Sequence, residues 1–276
     1  MASKTVLSAK VRSFFRGTSF TMVVENMATM MLYSLQVDIL PITCVLRKVE
    51  ELLAYVQSCC QAGVAVDIGQ AAFSTSLNLL SNTFFSMDLL QPGSDNILEF
   101  KELVWNIMVE LGTDTTSSTL EWAMVELLHN PDKLTKAKEE LERVIGRGNL
   151  VREGDIARLL YLQSIVKEIF RLHRSAPFLV PRKVNADVEL CGLRFLGSEM
   201  DVKGRDFELI PFGAGRRICP GMPLVIRMLQ LMLGSLIHSF NWKLENGDKP
   251  ENMDMDDKFG ITLQKAQSLL VIPIQL

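Results

Sequence analysis

One stretch constrains this chain more than any other. From Phe212 to Gly221 it reads FGAGRRICPG, so Gly213, Gly215 and Gly221 crowd around Cys219 within nine positions. Glycine is needed where backbone turns tightly or comes close to a flat ligand. A strongly apolar helix is predicted directly behind, from about Pro223 to Phe240, which puts its positive end beside the sulfur. Loop N–H groups can point at the same atom, and both features favour a thiolate. Arg216 and Arg217 add charge suited to carboxylates on a bound ligand. A phosphate-binding loop would want GxGxxG or a closing GK[ST], but Ile218 interrupts the first and no Lys-Ser/Thr completes the second. A buried structural cysteine explains Cys219 and leaves the glycines and arginines idle. On residue chemistry alone, a metal-thiolate loop and an irregular turn both stay open.

The rest of the composition removes other classes. With 29 basic against 32 acidic residues and no lysine/arginine run, the chain offers no track for a phosphate backbone, and no nucleic-acid partner is expected. Five cysteines, odd in number and irregular in spacing, do not make a disulfide framework and fit a reducing compartment. None of the three histidines pairs with a cysteine at zinc-ligand spacing. The apolar stretch Phe20 to Leu46 is broken by Glu25, Asn26 and Asp38, so no transmembrane helix is expected there. Lys4, Lys10, Arg12 and Arg16 precede the first acid, a faint transit-peptide composition that reads more simply as a solvated N-terminus.

Periodicity predicts a mainly α chain with a small β portion (an α+β domain). Val45, Val49, Leu52, Leu53 and Val56 share one face of a helix over 44–61, with Lys48, Glu50 and Glu51 opposite. Ile68 to Leu90 is a second helical stretch, closed by the turn Gln91-Pro92-Gly93-Ser94. A helical pattern then runs from Ile97 to Leu128 and stops at Asn130-Pro131-Asp132, a cap followed by proline at the first helical position. The helix that follows, to about Ile145, is charged and solvated. Asp155 to His173 reads as one helix and Phe178 to Leu193 as a strand pair. The tail after Trp242 holds an acidic loop and a terminal hairpin over Phe259 to Ile274.

The decapeptide resembles the haem-binding signature of the cytochrome P450 family, Phe-x-x-Gly-x-Arg-x-Cys-x-Gly, filled here by Phe212, Gly215, Arg217, Cys219 and Gly221. The resemblance implies haem (iron protoporphyrin IX) with Cys219 as axial thiolate ligand, the ligand that favours O–O cleavage in this family. Phe212, Gly213, Gly215 and Gly221 would then shape the cofactor site, and Arg182 and Arg217 would hold haem propionates. Glu168 and Arg171 match the family's Glu-x-x-Arg structural pair. Arg194, before Phe195, matches the third member's segment, although Gly192 and Leu193 depart from it. Gly112-Thr113-Asp114-Thr115-Thr116 resembles the oxygen-activation motif, making Asp114 and Thr115 the proton relay. By residue chemistry the same cluster also reads as a helix start capped by Asp114. Leu111 stands where the family has a small residue. Phe178, Leu179, Ile261 and Thr262 fall in segments that line substrate pockets.

Two longer stretches, LLAYVQSCCQAGVAVDIGQAAFSTSLNLLSNTFFSMDL and DVKGRDFELIPFGAGRRICPGMPL, look like plant microsomal members of the geraniol 8-hydroxylase type. The implied activity is insertion of one oxygen atom from dioxygen into a small apolar, terpenoid-like substrate. An NADPH-dependent cytochrome reductase would supply electrons, at the cytosolic face of the endoplasmic reticulum membrane.

The expected organisation is a divergent 1–44 without an anchor and a partial haem domain over 45–276. Gaps are expected near 110–111 and 192–194, so the fold is an incomplete cytochrome P450 fold. The first gap removes helices that roof the substrate cavity, which would admit water to the reacting face. A non-catalytic truncated remnant, with weak or no haem binding, is therefore the alternative reading.

Overall fold

The computed structural model describes residues 42–85, 88, 113–177, 210–215, 218–219, 221–245, 250–260 and 262–276. The predicted strand pair over Phe178 to Leu193 lies outside them, as do Arg182, Arg194, Arg217, Phe178, Leu179 and Ile261.

Helix α1 (Ile42–Ala62) buries the stripe Val45, Val49, Leu52, Leu53 and Val56, as its spacing requires. Lys48 corrects the expected polar face. It is only 2% exposed, and its Nζ lies 2.6 Å from Glu51 and 2.7 Å from Asp88, so carboxylates compensate its burial. A short strand β1 (Val66–Asp67) leads into α2 (Ile68–Phe85).

Helix α3 (Thr115–His129) is the central helix, buried on almost every side, with Leu120, Trp122, Met124 and Leu127 in the core. Asn130 ends it and Pro131 opens α4 (Pro131–Ile145). The Asn130 side chain does not cap α4. It turns back and donates to the Glu126 carbonyl at 2.9 Å, closing the helix before it.

Two further helices replace the single one expected over Asp155 to His173. Glu153–Ile156 forms a short α5, and α6 runs over Leu160–Leu172 after a break at Leu159, which is fully buried. Helix α6 buries Leu162, Val166, Ile169 and Phe170, whereas Leu172 at its end is 45% exposed. No side chain of its own caps the start of α6. Instead Glu140 of α4 reaches across and accepts the N–H groups of Tyr161 at 2.8 Å and Leu162 at 3.0 Å. The same helix supplies Lys138, which donates to the Phe240 carbonyl at 3.1 Å where α7 (Met222–Ser239) ends. A carboxylate meets a positive helix end and an ammonium a negative one, the favourable sign in both cases.

Helix α7 is the other central element, packed on α1, α3, α4 and α6. It is long and apolar enough to cross a membrane, at 18 residues and mean hydropathy 1.3, but 61% of it is buried among its neighbours. Its composition is that of a core helix.

Beyond α7 the chain continues into β2 (Phe240–Leu244), and a single turn at Pro250–Asn252 precedes β3 (Asp257–Lys258) and β4 (Gln264–Lys265). The last strand, β5 (Leu270–Gln275), lies between β1 and β2, antiparallel to both, with Val66 opposite Val271 and Trp242 opposite Pro273. The terminal hairpin expected over Phe259 to Ile274 is thus two separate pairings: β3 with β4, and β5 with the sheet of β1 and β2. Pro273 is tolerated because β1 pairs only with Leu270 and Val271, leaving β5 an edge strand further along.

Candidate functional site

The cysteine loop is bent by two left-handed glycines. Gly213 and Gly215 sit at φ 70° and 69°, where a side chain would strain the backbone. The chain closes on itself through the Gly213 N–H donating to the Ile210 carbonyl at 3.0 Å, Ile218 to Gly215 at 3.1 Å, and Cys219 to Phe212 at 2.9 Å. Phe212 fastens the loop to the core by meeting Phe170 of α6 edge-on, ring centres 5.0 Å apart and planes at 75°. A Cβ placed on either glycine would meet no described atom within 4 Å.

Cys219 is half-buried, and burial pushes its thiol pKa up. The nearby backbone N–H groups of Gly221 and Met222 pull in the opposite direction, and the Met222 N–H donates to the Cys219 carbonyl at 3.3 Å. Gly221 is also the residue before α7, so the sulfur stands off a positive helix end. A helix N-terminus and a loop bent by two left-handed glycines fit a sulfur that bonds a cation in a flat ligand. The cation would supply the remaining ionising effect.

A second polar cluster forms at the start of α3. Thr113 and Asp114 lie in a wider helical turn with bonds to the fifth residue ahead, a local bulge that often marks functional positions. Asp114 itself is helical, at φ −63° and ψ −40°, and makes no capping bond, so the helix-cap alternative does not hold. Thr113, Asp114 and Thr116 are 0%, 6% and 1% exposed. Thr119 Oγ1 donates to the Thr115 carbonyl at 2.7 Å and Ser117 Oγ to the Asp114 carbonyl at 3.1 Å, self-bonding that suits hydroxyl residues held inside a helix. Thr262, 7% exposed, is brought to the same end of α3 through Gln264, whose Nε2 lies 3.3 Å from Asp114 Oδ2. Gln264, Leu263 and Ser175 were invisible as partners in the sequence, because nothing local marks contacts formed across 56 to 150 positions.

Glu168 and Arg171 form their pair, bidentate at 2.8 and 2.7 Å, and the guanidinium holds the Glu168 carboxyl below its ordinary range. The pair is nevertheless on the surface, with side chains 52% and 44% exposed. Between α3, α6 and α7 the core closes to an apolar gap too narrow for water, lined by Thr119, Ala123, Val166, Ile169, Leu229 and Leu233.

The described residues form a mostly helical domain with a small sheet, with Cys219 in a glycine-bent loop at the start of α7. The family model for cytochrome P450 matches residues 91–202 and 193–271. Geraniol 8-hydroxylase of Catharanthus roseus is 42% identical over 346 aligned positions, covering 83% of this chain and 70% of the relative. Drimenol monooxygenase of Persicaria hydropiper is 40% identical, covering 83% and 69%. Geraniol 8-hydroxylase of Swertia mussotii is also 40% identical, covering 83% and 70%. The chain belongs to the cytochrome P450 family, and by that resemblance it is a P450-type monooxygenase.

Proposed function

We propose that this chain holds haem through the Cys219 sulfur and uses it to place one oxygen atom from dioxygen on a small apolar substrate. The observation that carries the reading is the loop bent by Gly213 and Gly215, which sets a half-buried Cys219 just before the N-terminus of α7. Bound there, haem supplies activation of dioxygen and transfer of one of its atoms. The chain's own residues do the rest. Phe212, Gly213 and Gly215 shape the seat, and Arg182 and Arg217 hold the propionates. Asp114 and Thr115 carry protons on a carboxylate and a hydroxyl oxygen at the start of α3. Thr262, with Phe178, Leu179 and Ile261, lines the substrate side. Glu168, Arg171 and Arg194 form the structural group.

The substrate proposed is terpenoid-like, because the relatives named for geraniol and drimenol act on molecules of that kind. The electron donor proposed is an NADPH-dependent cytochrome reductase, and the location the cytosolic face of the endoplasmic reticulum membrane.

A second reading keeps the ancestry and gives up catalysis: a truncated remnant with weak or no haem binding. Two observations favour it. The Glu168–Arg171 pair faces solvent. The alignment to the Catharanthus relative, at 346 positions, is longer than this 276-residue chain, so it skips residues of the relative. The proposed gaps near 110–111 and 192–194 within the 45–276 haem domain would account for that; the family model matches in two overlapping pieces, 91–202 and 193–271. The carbon monoxide difference spectrum of the reduced protein separates the readings. A strongly red-shifted Soret band, lost in Cys219→Ser, is the result expected of a thiolate-ligated haem. A flat spectrum from folded, soluble protein supplied with haem selects the remnant.

A further inference from the structure

We propose that Gln264 is a positioning residue for the monooxygenase chemistry, setting the orientation of the Asp114 carboxylate from strand β4. Its Nε2 donates to Asp114 Oδ2 at 3.3 Å, across 150 positions of sequence. The same amide lies 3.5 Å from Thr262 Oγ1, at the long limit of a hydrogen bond, so one side chain spans the acid and a residue of the proposed substrate side.

The donor is itself fixed in place. Ser118 Oγ of α3 donates to the Leu263 carbonyl at 3.0 Å, and the Leu263 N–H donates to the Ser175 carbonyl at 2.9 Å. Ser175 Oγ shares a hydrogen bond with Thr119 Oγ1 at 3.1 Å, closing a circuit between α3, the segment after α6, and the start of β4. Gln264 therefore approaches Asp114 from a strand tied to the same helix turn by neighbouring residues. Asp114 is 6% exposed, so its carboxylate is oriented by protein donors and not by bulk water. Proton transfer requires heavy atoms within hydrogen-bond reach, and a carboxylate free to rotate would spend much of its time out of that reach.

The inference rests on Asp114 being the proton-handling acid, and the test separates the two claims. The parent, Gln264→Leu, Asp114→Ala and the double variant are compared. In the haem-free protein, urea unfolding reads whether the side chains are coupled. The double-variant cycle is expected to depart from additivity by roughly tenfold in the unfolding constant, and additive effects overturn the proposal. In the haem-loaded protein with a reductase, hydrogen peroxide released per oxygen consumed reads faulty proton delivery. Gln264→Leu is expected to raise it severalfold and lower kcat at constant KM, with the double variant no worse than Asp114→Ala. A parental ratio in Gln264→Leu beside a raised one in Asp114→Ala removes Gln264 and keeps the acid. A parental ratio in Asp114→Ala removes the acid's role, and with it that of Gln264.

Discussion

Glu140 gives the sharpest test of how this fold is held together. It sits in a charged helix, is 7% exposed, and accepts the first N–H groups of α6 at 2.8 and 3.0 Å. A hydrogen bond to an ionised group contributes about 1.5 kcal/mol or more, and two such bonds at a helix N-terminus total about 3 kcal/mol. Glu140→Ala should therefore lower unfolding free energy by about 3 kcal/mol, and Glu140→Gln, which keeps one acceptor oxygen, by about half that. The exposed neighbour Glu139 is the control, and Glu139→Ala should stay within about 0.5 kcal/mol of the parent. Urea denaturation followed by circular dichroism measures all three. Amide exchange adds a local reading, since Tyr161 and Leu162 should lose protection first. Should Glu140→Ala match Glu139→Ala in both assays, the cross-helix cap contributes nothing and the reasoning fails.

Three further outcomes are expected. Glu121 accepts the Leu269 N–H at 2.7 Å in a buried setting, where desolvation raises its pKa above the ordinary 4.5. A carboxyl with a raised folded pKa binds more protons folded than unfolded, so stability should fall as pH rises above about 4.5 through the folded value; a stability–pH curve of Glu121→Gln as steep as the parent's would refute this. Phe212→Ala removes the ring that docks on Phe170 and should cost about 2 kcal/mol in urea, half the figure for a fully buried ring, with haem retention on gel filtration falling in parallel. Glu168→Ala, by contrast, should leave the urea midpoint of the haem-free protein unchanged, because both partners face solvent; a large shift would mean the pair is buried in solution.

What was legible in the sequence was what neighbouring residues decide together. The bend of the cysteine loop followed from Gly213 and Gly215, the start of α4 from Pro131, and the extent of α7 from a strongly apolar stretch. What was not legible depended on partners far away. Lys48 looked like a surface residue until Asp88 and Glu51 surrounded its ammonium. Glu140 looked solvated because the amides it caps belong to the next long helix. Asp114 had two local readings, and only its own helical φ and ψ, with no capping bond, removed the cap. Strand pairing failed for a similar reason: β5 carries no mark of choosing β1 and β2 over β4.

That choice has a kinetic consequence. Val66 pairs with Val271 and Trp242 with Pro273, so β5 is the shared member of both pairings in its sheet. During synthesis β1 emerges long before its partner exists, and neither seam can be sewn until β5 has left the ribosome. The helices can gather early through local contacts, whereas the sheet must bring together segments about two hundred residues apart, the slow kind of closure. Until then the apolar side chain of Val66 waits uncovered, a window in which a nascent chain depends on whatever shields it.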